Sequence, residues 1–306
     1  MRISGLIGLA LIYSVTAAAS EAPTYRAQSY AVKHAKGLKR TEKSKQFLVQ
    51  APRRSYIKDA TPIPAATSLR TYAGPVEDQG QCGSCWDFSL TEVLRGTLMT
   101  AGKDPGRLSF NYLLNCAKTM QGCNGGDFPA ADYFINPQGA PAYGTDGVYT
   151  ATDGKCQSAP AVASTVSYSI LGDDFGTVPN AVAPSFKDIA YVVGVLHQPV
   201  SIDIAADDNF ASYVSGVYNG CSSEDPDTID HMVVIEGYDC ESAVDADGNC
   251  TFDAKGGLPN GVGTWLVKNS WGESWGDNGY ITMKATDSKG LKCNSVATDA
   301  LFYTVQ

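Results

Sequence analysis

The strongest hydrophobic pattern in this 306-residue chain follows residue 84 and has the spacing of a helix. Its apolar positions are Trp86, Phe88, Leu90, Val93, Leu94 and Leu98. Gly102 comes soon after the last of them, and glycine commonly ends helices. The pattern therefore predicts a helix that reaches about residue 101 and has Cys85 in its first turn.

Further along the chain, the pattern changes from helices to strands. Ser109 and Ser185 are placed to cap helices that run to about Cys116 and Val195, and a helical stretch lies near 130–135. After residue 198 the periodic segments are short, rich in β-branched and aromatic residues, and bounded by turn residues. They predict strands at 198–204, 232–235, 264–267 and 280–284.

Residues 1–19 have the composition of a secretory signal peptide. A basic start precedes an apolar run from Ile3 to Val15, and the small residues Ala17–Ala19 suit cleavage before Ser20. The run is too short to span a bilayer comfortably. We therefore expect a mature protein that is free of the membrane, in an extracellular, periplasmic or lysosome- or vacuole-like compartment on the secretory route. Such compartments permit disulfides.

The formal charge changes sign near residue 60. Residues 20–60 contain ten basic and three acidic residues, whereas the chain from Thr61 onward contains 12 basic and 29 acidic residues. A basic run beside an acidic body suits a nucleic-acid arm or a solvated linker, but the acidic body repels phosphate and argues against nucleic acid. Attraction to the acidic body would depress the pKa values of the partner carboxylates.

Cys85 has the setting of a reactive thiol. Unpaired backbone N–H groups at the start of a helix favour the thiolate, which is the nucleophilic form. Two other interpretations fit the local sequence. Cys82 and Cys85 form a CxxC pair, as in thiol oxidoreductases, and either cysteine suits a structural disulfide. The residues next to Cys85 do not decide among these alternatives.

Three blocks of sequence together resemble the active-site motifs of papain-family cysteine proteases. The first is Cys82-Gly83-Ser84-Cys85-Trp86. The second is the strand-like block that begins Asp230-His231, and the third runs from Trp265 to Trp271 and contains Asn269. The resemblance implies an α+β, papain-like fold of two domains with the active site in the cleft between them.

That fold divides the chain into segments with separate roles. The resemblance implies a helical domain at 62–175 that contains the nucleophile, and an antiparallel, barrel-like β domain at 176–306. Residues 20–61 would be an inhibitory pro-segment, removed between Ala60 and Ile63. The family's pro-segments are typically longer and have a helical signature, which is not found in this segment. The expected activity is that of a cysteine endopeptidase made as a zymogen. Its expected partners are polypeptide substrates and its own pro-segment, and the expected state is a monomer.

The resemblance also implies a role for each residue of the site. Cys85 would form a thioester acyl-enzyme, His231 would move the proton, and Asn269 would orient the imidazole. Gln79, six residues before Cys85, would donate to the oxyanion. Residues implied in substrate contact, or in shielding the site from water, are Gly125, Gly126, Asp230, Trp271 and Asp299. Asp299 would favour a basic side chain near the main specificity pocket.

Eight cysteines remain besides Cys85, and sequence alone leaves their pairing open. The resemblance implies the pairs Cys82–Cys123, Cys116–Cys156 and Cys221–Cys293, which leaves Cys240–Cys250 inside an insertion at 240–263. No cofactor or metal is predicted. An EF-hand in the acidic insertion is rejected, because Ala243 would stand where the first ligand belongs.

Two departures from the family pattern bring other functions into consideration. Asp87 replaces a usual small residue two positions after the nucleophile, and Met232 is bulkier than the residue usual after the histidine. A catalytically attenuated papain-like binding or inhibitor-type protein would keep the fold but lose a catalytic residue, and none is lost. A thiol oxidoreductase would not require Gln79, His231 and Asn269 in their contexts.

Overall fold

The computed structural model describes residues 21–26, 34–172, 183–221, 228–259, 262–287 and 290–305. The predicted signal peptide at 1–19 and the predicted domain boundary near residue 175 lie outside these ranges. Within them, no helix is long and apolar enough to cross a membrane.

The helices largely follow the periodic patterns of the sequence. Their bounds are α1 Glu42–Gln50, α2 Cys85–Thr100, α3 Asn111–Cys116, α4 Phe186–Gly194 and α5 Asp208–Ser212. As predicted, α2 starts at Cys85, and Gly102 adopts a φ of 76°, a left-handed conformation that suits glycine after a helix. Ser185 caps α4, because its hydroxyl accepts the N–H of Asp188 while the Asp188 carboxylate accepts the N–H of Ser185.

Two helix predictions need correction. The helix expected from Ser109 begins at Asn111 instead, and the Ser109 hydroxyl donates to Asp146 at 2.6 Å. The stretch expected near 130–135 is a 3-10 helix at Phe128–Phe134, capped by Asp127. The Ser109 hydroxyl still accepts the N–H of Asn111 at 3.1 Å, but its contact with Asp146 joins distant parts of the chain, which local periodicity does not reveal.

Most strands belong to one mainly antiparallel sheet. The strand bounds are β1 Thr24–Tyr25, β2 Arg53–Arg54, β3 Ala66–Ser68, β4 Ala140–Pro141, β5 Ala161–Ala163, β6 Ser167–Leu171, β7 Val200–Ile204, β8 Tyr213–Ser215, β9 Val217–Tyr218, β10 His231–Asp239, β11 Thr264–Lys268, β12 Tyr280–Lys284 and β13 Ala300–Thr304. Within the described ranges the sheet has the order β2-β6-β13-β7-β10-β11-β12-β9. The pairs β2/β6 and β9/β12 are parallel. β10 lies at the centre, between β7 and β11.

Apolar side chains form two separate cores. The first surrounds the sheet and includes Ile202 and Val233. The second surrounds α2 and includes Trp86 and Leu90. Side chains of β10 enter both cores, so β10 joins the helical part of the molecule to the sheet.

The region expected to be helical, 62–175, also supplies strands to the sheet. β3 pairs with Gly237–Asp239 of β10, β6 pairs with β13, and Ile63 and Leu69 are buried in the sheet core. These segments correct the simple division into a helical first half and a β second half. Such short strands are defined by their partners, and their own residues show little alternation.

The segment 21–60 is docked along the rest of the molecule. β1 pairs with β8, and β2 pairs with β6. Between them, α1 starts with a capping box in which the hydroxyls of Thr41 and Ser44 each accept the other residue's backbone N–H. The segment thus contains a helix, although the helical signature of the family's pro-segments is not found in its sequence. Ser in place of the usual Glu or Gln at the third helical position made the box easy to overlook.

Four disulfides close the fold. They join Cys82 to Cys123, Cys116 to Cys156, Cys221 to Cys293 and Cys240 to Cys250. These are the pairs that the family resemblance implies. The first ties the loop before Cys85 to the loop before Gly125, which fixes two walls of the cleft relative to each other.

Candidate active site

Cys85 lies fully buried in the first turn of α2 and is the free cysteine of the described residues. Burial raises the pKa of its thiol to about 12, although backbone N–H groups of Met232, Gly37 and Trp86 donate toward the sulfur and favour the thiolate. The helix start alone was expected to stabilise a thiolate. With Gly37 of the segment 21–60 beside the sulfur, Cys85 is a neutral thiol instead.

His231 begins β10 and is oriented by Asn269. Its Nε2 lies 2.8 Å from Asn269 Oδ1, and the same oxygen accepts the backbone N–H of Ser270 at 2.8 Å. Because Oδ1 can only accept, Nε2 must hold the proton, and Nδ1 keeps its lone pair. Nδ1 is buried and has no hydrogen-bond partner among the described residues. Burial lowers the pKa of His231 to about 3, against the opposing hydrogen bond from Asn269, so the imidazole is neutral here.

Trp271 covers the imidazole. Its ring stacks on His231 with centroids 4.7 Å apart and is only 2% exposed. The ring of His34, from the segment 21–60, also stacks on Trp271, at 4.4 Å and nearly parallel. The indole Nε1 donates to the carbonyl of Ala35 at 3.2 Å. Trp271 therefore shields the histidine and contacts a polypeptide backbone.

Gln79 is fully buried, and its side-chain amide has a fixed orientation. Oε1 accepts the hydroxyl of Ser270 at 2.7 Å, which turns Nε2 toward two carbonyl oxygens. Nε2 donates to Cys82 O at 2.9 Å and to Ala35 O at 3.0 Å. Gln79 Nε2 thus points into the cleft and donates to a peptide carbonyl. A donor that stabilises an oxyanion needs this orientation.

Gly125 and Gly126 bring their backbone close to a second chain. Gly126 accepts the N–H of Lys39 and donates to the carbonyl of Gly37, both at 2.9 Å. A Cβ on Gly126 would lie 2.4 Å from the Trp86 ring, and one on Gly125 would lie 2.9 Å from the carbonyl of Gly37. Glycine is needed at both positions, because any side chain would displace either the core or the bound backbone.

Asp230 contacts the same segment from the opposite wall. Its carbonyl accepts the N–H of Leu38 at 3.1 Å, and one carboxylate oxygen accepts the Lys36 ammonium at 2.7 Å. The other carboxylate oxygen accepts the N–H of Ala206, which holds the side chain in place. Residues 34–39 therefore run through the cleft as an extended strand with backbone hydrogen bonds on both sides.

Asp299 is one of three carboxylates around a single guanidinium. Arg40 Nε lies 3.2 Å from Asp127, Arg40 Nη2 lies 3.0 Å from Asp203, and Nη1 donates to Asp299. Burial raises the pKa values of Asp127 and Asp203, and Arg40 only partly opposes it. The expected depression of partner pKa values was wrong for this pair, because loss of hydration outweighs attraction to one cation.

Asp87 and Glu236 are further acidic residues of the interior. Asp87 is fully buried, accepts the Thr91 hydroxyl at 3.0 Å, and has its pKa raised well above the usual range by burial. The carboxyl is therefore neutral and places no charge near Cys85. Glu236 accepts the Tyr280 hydroxyl at 3.1 Å and lies near the buried ion pair of Lys268 and Glu92.

Some residues of the site were not found from the sequence. Ser270 orients Gln79, while Asp127 and Asp203 surround Arg40. Asp203 had a visible signal, since it is a charged residue within β7, whose five residues are all buried. Asp127 directly follows the Gly125-Gly126 pair, and that position next to a bound backbone was its signal. Among the described residues, no group of three or more metal-ligating side chains is found.

Comparison with known proteins agrees with this geometry. The family model described as "Papain family cysteine protease" matches residues 63–303. Cysteine proteinase COT44 of Brassica napus is 33% identical over 248 residues, 80% of this chain and 66% of that protein. Cysteine protease 1 of Oryza sativa subsp. japonica is 37% identical over 214 residues, 69% of this chain and 38% of that protein. The matches thus span between 38% and 66% of these relatives.

Two solved precursor structures have the same fold. Recombinant stem bromelain precursor superposes with a TM-score of 0.67 at 26% identity, and the match covers 92% of this chain and 80% of that one. Digestive procathepsin L2 proteinase from Tenebrio molitor larval midgut gives a TM-score of 0.67 at 26% identity, covering 89% and 78%. The chain belongs to the papain family of cysteine proteases.

Proposed function

We propose that this chain is the zymogen of a cysteine endopeptidase, with residues 20–61 as its inhibitory pro-segment. One observation supports this most directly. A polypeptide backbone lies across the nucleophile, with the carbonyl of Ala35 bound by Gln79 and the N–H of Gly37 donating toward Cys85. The cleft is therefore built to hold an extended peptide against a thiol. Family membership and the precursor structures support the same conclusion.

Cleavage would begin with a proton transfer. Nδ1 of His231, which has a free lone pair, takes the proton of the Cys85 thiol, and Asn269 stabilises the imidazolium through its hydrogen bond to Nε2. The thiolate attacks the carbonyl carbon of the substrate, and Gln79 Nε2 and the Cys85 N–H donate to the resulting oxyanion. Conversion of these two neutral groups into an ion pair costs little free energy, because the two charges form and disappear together inside the site.

The tetrahedral intermediate then collapses, and its C–N bond breaks. The leaving nitrogen takes the proton from His231, which leaves a thioester on Cys85. Water attacks the thioester while His231 accepts its proton, and a second tetrahedral intermediate releases the carboxylic acid product. The thiolate takes the proton back from His231. No cofactor enters this cycle.

The pro-segment would inhibit because its backbone is out of register for attack. A productive substrate must place one carbonyl carbon at the sulfur and the oxygen of the same carbonyl at Gln79. Here the carbonyl at Gln79 belongs to Ala35, while a backbone N–H of Gly37, two residues later, faces the sulfur. The nucleophile therefore has no electrophile in front of it.

Maturation would remove the segment between Ala60 and Ile63. The remaining chain would act as a monomer in a compartment of the secretory route, which agrees with its four disulfides. Its working parts would be a helical domain around α2 and a β domain around β10, with Cys85 on the first and His231 with Asn269 on the second.

The test uses the full chain, processed to the mature form, and a Cys85→Ala variant processed by an added protease. We expect wild type to cut internal bonds of a mixed peptide library and to be inactivated by one equivalent of a thiol-reactive epoxide, with the adduct on Cys85. Release of only terminal dipeptides would contradict endopeptidase action. Equal cleavage by the Cys85→Ala variant would contradict the assigned nucleophile.

A further inference from the structure

We propose that Asp127, Asp203 and Asp299 form a specificity subsite that binds a basic side chain of the substrate, with a preference for arginine. The inference rests on the proposed peptidase function and adds the class of substrate. In the zymogen the subsite holds the guanidinium of Arg40, a residue of the removable pro-segment. In the mature enzyme the same three carboxylates remain, and the substrate supplies the cation.

The contacts match the shape of a guanidinium. All three nitrogens of the Arg40 head group have a separate carboxylate partner, namely Asp127 for Nε, Asp203 for Nη2 and Asp299 for Nη1. Arginine has a planar fork of donors, whereas lysine presents a single ammonium. Three carboxylates arranged around one plane therefore favour arginine over lysine.

The carboxylates are nearly inaccessible to water. The side chains of Asp127 and Asp203 are 0% exposed, and that of Asp299 is 15% exposed. Among the residues that the structure describes, Arg40 is the one Lys or Arg within ion-pair distance of them. Three buried carboxylates without a cation repel one another and lack hydration. Departure of the pro-segment leaves a pocket that favours a new cation.

The three carboxylates are fixed by the mature part of the chain. Asp127 accepts the N–H of Phe128 at 2.8 Å and starts a 3-10 helix. Asp203 lies in β7, between β10 and β13, and its Oδ1 accepts the N–H of Asp299 at 2.9 Å. The backbone carbonyl of Asp203 also accepts the N–H of Ala297, a residue held at a φ of 53°. These contacts keep the pocket in shape without Arg40.

The pocket lies directly beside the bound backbone. Lys39 hydrogen-bonds to Gly126, and Arg40 is the next residue. Gly126 and Asp127 are likewise consecutive, so the wall that pairs with a peptide also supplies one of the carboxylates. Gly37, three residues before Arg40, contacts Cys85. A substrate that pairs with Gly126 would therefore place a side chain in the pocket within about three residues of the scissile bond.

The experiment compares matched peptides with the processed enzyme. Each of the three positions on either side of the scissile bond is occupied in turn by Arg, Lys, citrulline or Leu, where citrulline keeps the shape of arginine without its charge. At one position we expect kcat/KM for Arg to exceed that for citrulline by about 30-fold or more, since pairing of buried charges contributes on this scale. Lys should fall between them. Absence of an Arg preference at every position overturns the subsite.

Variants locate the effect in the three carboxylates. Asp203→Asn and Asp299→Asn should lower the ratio of kcat/KM for the Arg peptide to that for the Leu peptide by about tenfold or more. Asp299 is partly exposed, so its variant keeps the test decisive if Asp203→Asn does not fold. The control is Asp132→Asn, an exposed carboxylate that accepts the Tyr168 hydroxyl, and it should not change the Arg preference. An undiminished Arg preference in Asp299→Asn and Asp203→Asn would also overturn the assignment.

Failure of the subsite can be told apart from failure of the peptidase proposal. Epoxide labelling of Cys85 and cleavage of the Leu peptides report on the catalytic machinery alone. A labelled enzyme that cleaves Leu peptides without preferring Arg contradicts only the subsite. An enzyme that cleaves no peptide and does not label contradicts the proposed function itself.

Discussion

The pro-segment contacts the rest of the chain in two different ways. Its cleft section, residues 34–40, is held by backbone hydrogen bonds and by ion pairs at Lys36 and Arg40. Its outer section, residues 44–57, adds apolar contacts to the pairing of β2 with β6 and to hydrogen bonds from Ser55 and Tyr56 to the Asp188 carboxylate. Leu48 is 6% exposed, the Phe47 and Tyr168 rings are 5.3 Å apart, and Tyr56 stacks on Tyr191 at 4.0 Å.

The two sections are expected to respond differently to pH and salt. Apolar burial is nearly independent of pH and of moderate salt, so the outer section provides attachment that persists under changing conditions. Ion pairs respond to protonation and screening, so the cleft section provides contacts that conditions can weaken. The pro-segment therefore combines a constant anchor with a section that acid can release.

The largest expected effect concerns Gln79, which serves both substrate and pro-segment. Gln79→Ala should lower kcat by about 100- to 1,000-fold, because an oxyanion donor is lost. The same variant should weaken inhibition by a peptide of residues 20–60 by only about tenfold, because one hydrogen bond to the neutral Ala35 carbonyl is lost. Steady-state kinetics and inhibition constants measure both. Equal losses would mean that Gln79 supports the fold of the cleft and has no special role in the transition state.

Arg40 should be the strongest contact of the cleft section. Arg40→Gln in the 20–60 peptide leaves three carboxylates without a cation, and we expect the inhibition constant at pH 7.5 to rise by about 100-fold or more. The control is Lys43→Gln, which removes the same charge from an exposed position of α1. If both substitutions weaken inhibition to the same extent, net charge rather than the pocket holds the segment.

Leu48 tests the anchor in the same assay. Leu48→Ala removes part of a buried apolar side chain, and we expect the inhibition constant to rise by roughly 30-fold on the usual value per buried methylene. This loss should be the same at every pH and salt concentration. The exposed Val49→Ala substitution, one residue along α1, should have little effect. A loss for Leu48→Ala that changes with pH would break the distinction between the two sections.

The pH dependence follows from the buried carboxylates. Burial and the neighbouring Asp299 raise the pKa of Asp203 to about 7, while Arg40 keeps it lower than it would be in a pocket without a cation. A group whose pKa is lower in the bound state stabilises that state at high pH, and the stabilisation is lost as pH falls through the bound-state value. Binding should therefore weaken by up to about tenfold per pH unit as pH falls from the higher pKa of the pocket without Arg40 to the bound-state value near 7, and it should level off below that value.

Titration calorimetry with a Cys85→Ala mature domain measures this binding without catalysis. The Arg40→Gln peptide is the control, since it keeps His34 and every other titrating group but cannot bridge the carboxylates. We expect its affinity to be nearly flat from pH 8 to pH 5. A parallel slope for both peptides would assign the pH dependence to groups outside the pocket.

Lys36 should have the smallest effect. Its ion pair with Asp230 joins side chains that are 32% and 40% exposed, and exposed pairs contribute about 0–1 kcal/mol. Lys36→Gln should raise the inhibition constant by no more than about fivefold, and the difference from wild type should vanish in high salt. A larger effect that persists in salt would show that Lys36 works through the backbone of the cleft section.

Local patterns and the family resemblance predicted much of the fold and the site, but not the pocket. α2, α4 and β12 follow from periodicity, because each buries one face over several turns or alternate positions. Contacts between residues far apart in the chain could not be predicted from these patterns. The role of Asp203 depends on β7 lying beside β13, and that of Asp127 on a pro-segment that places Arg40 against it.

The pro-segment itself was the hardest part to predict. Its net charge correctly suggested attraction to the acidic body, but the pKa direction was wrong, because charge counts do not report burial. α1 escaped notice since its cap uses a serine. β1 and β2 have two residues each, too few for any pattern, and each is defined by its partner strand, β8 or β6.

The position of the proposed processing site also bears on the kinetics of activation. Ala60, Thr61 and Pro62 are exposed, whereas Ile63 is buried in the sheet core and Cys85 lies beneath Gly37 of the same chain. A molecule in this closed form presents its linker to others but has no open nucleophile of its own. Processing of one closed molecule by an open one is a bimolecular event. A population of zymogens would then activate with a lag that shortens as the protein becomes more concentrated, and a trace of mature enzyme would abolish that lag.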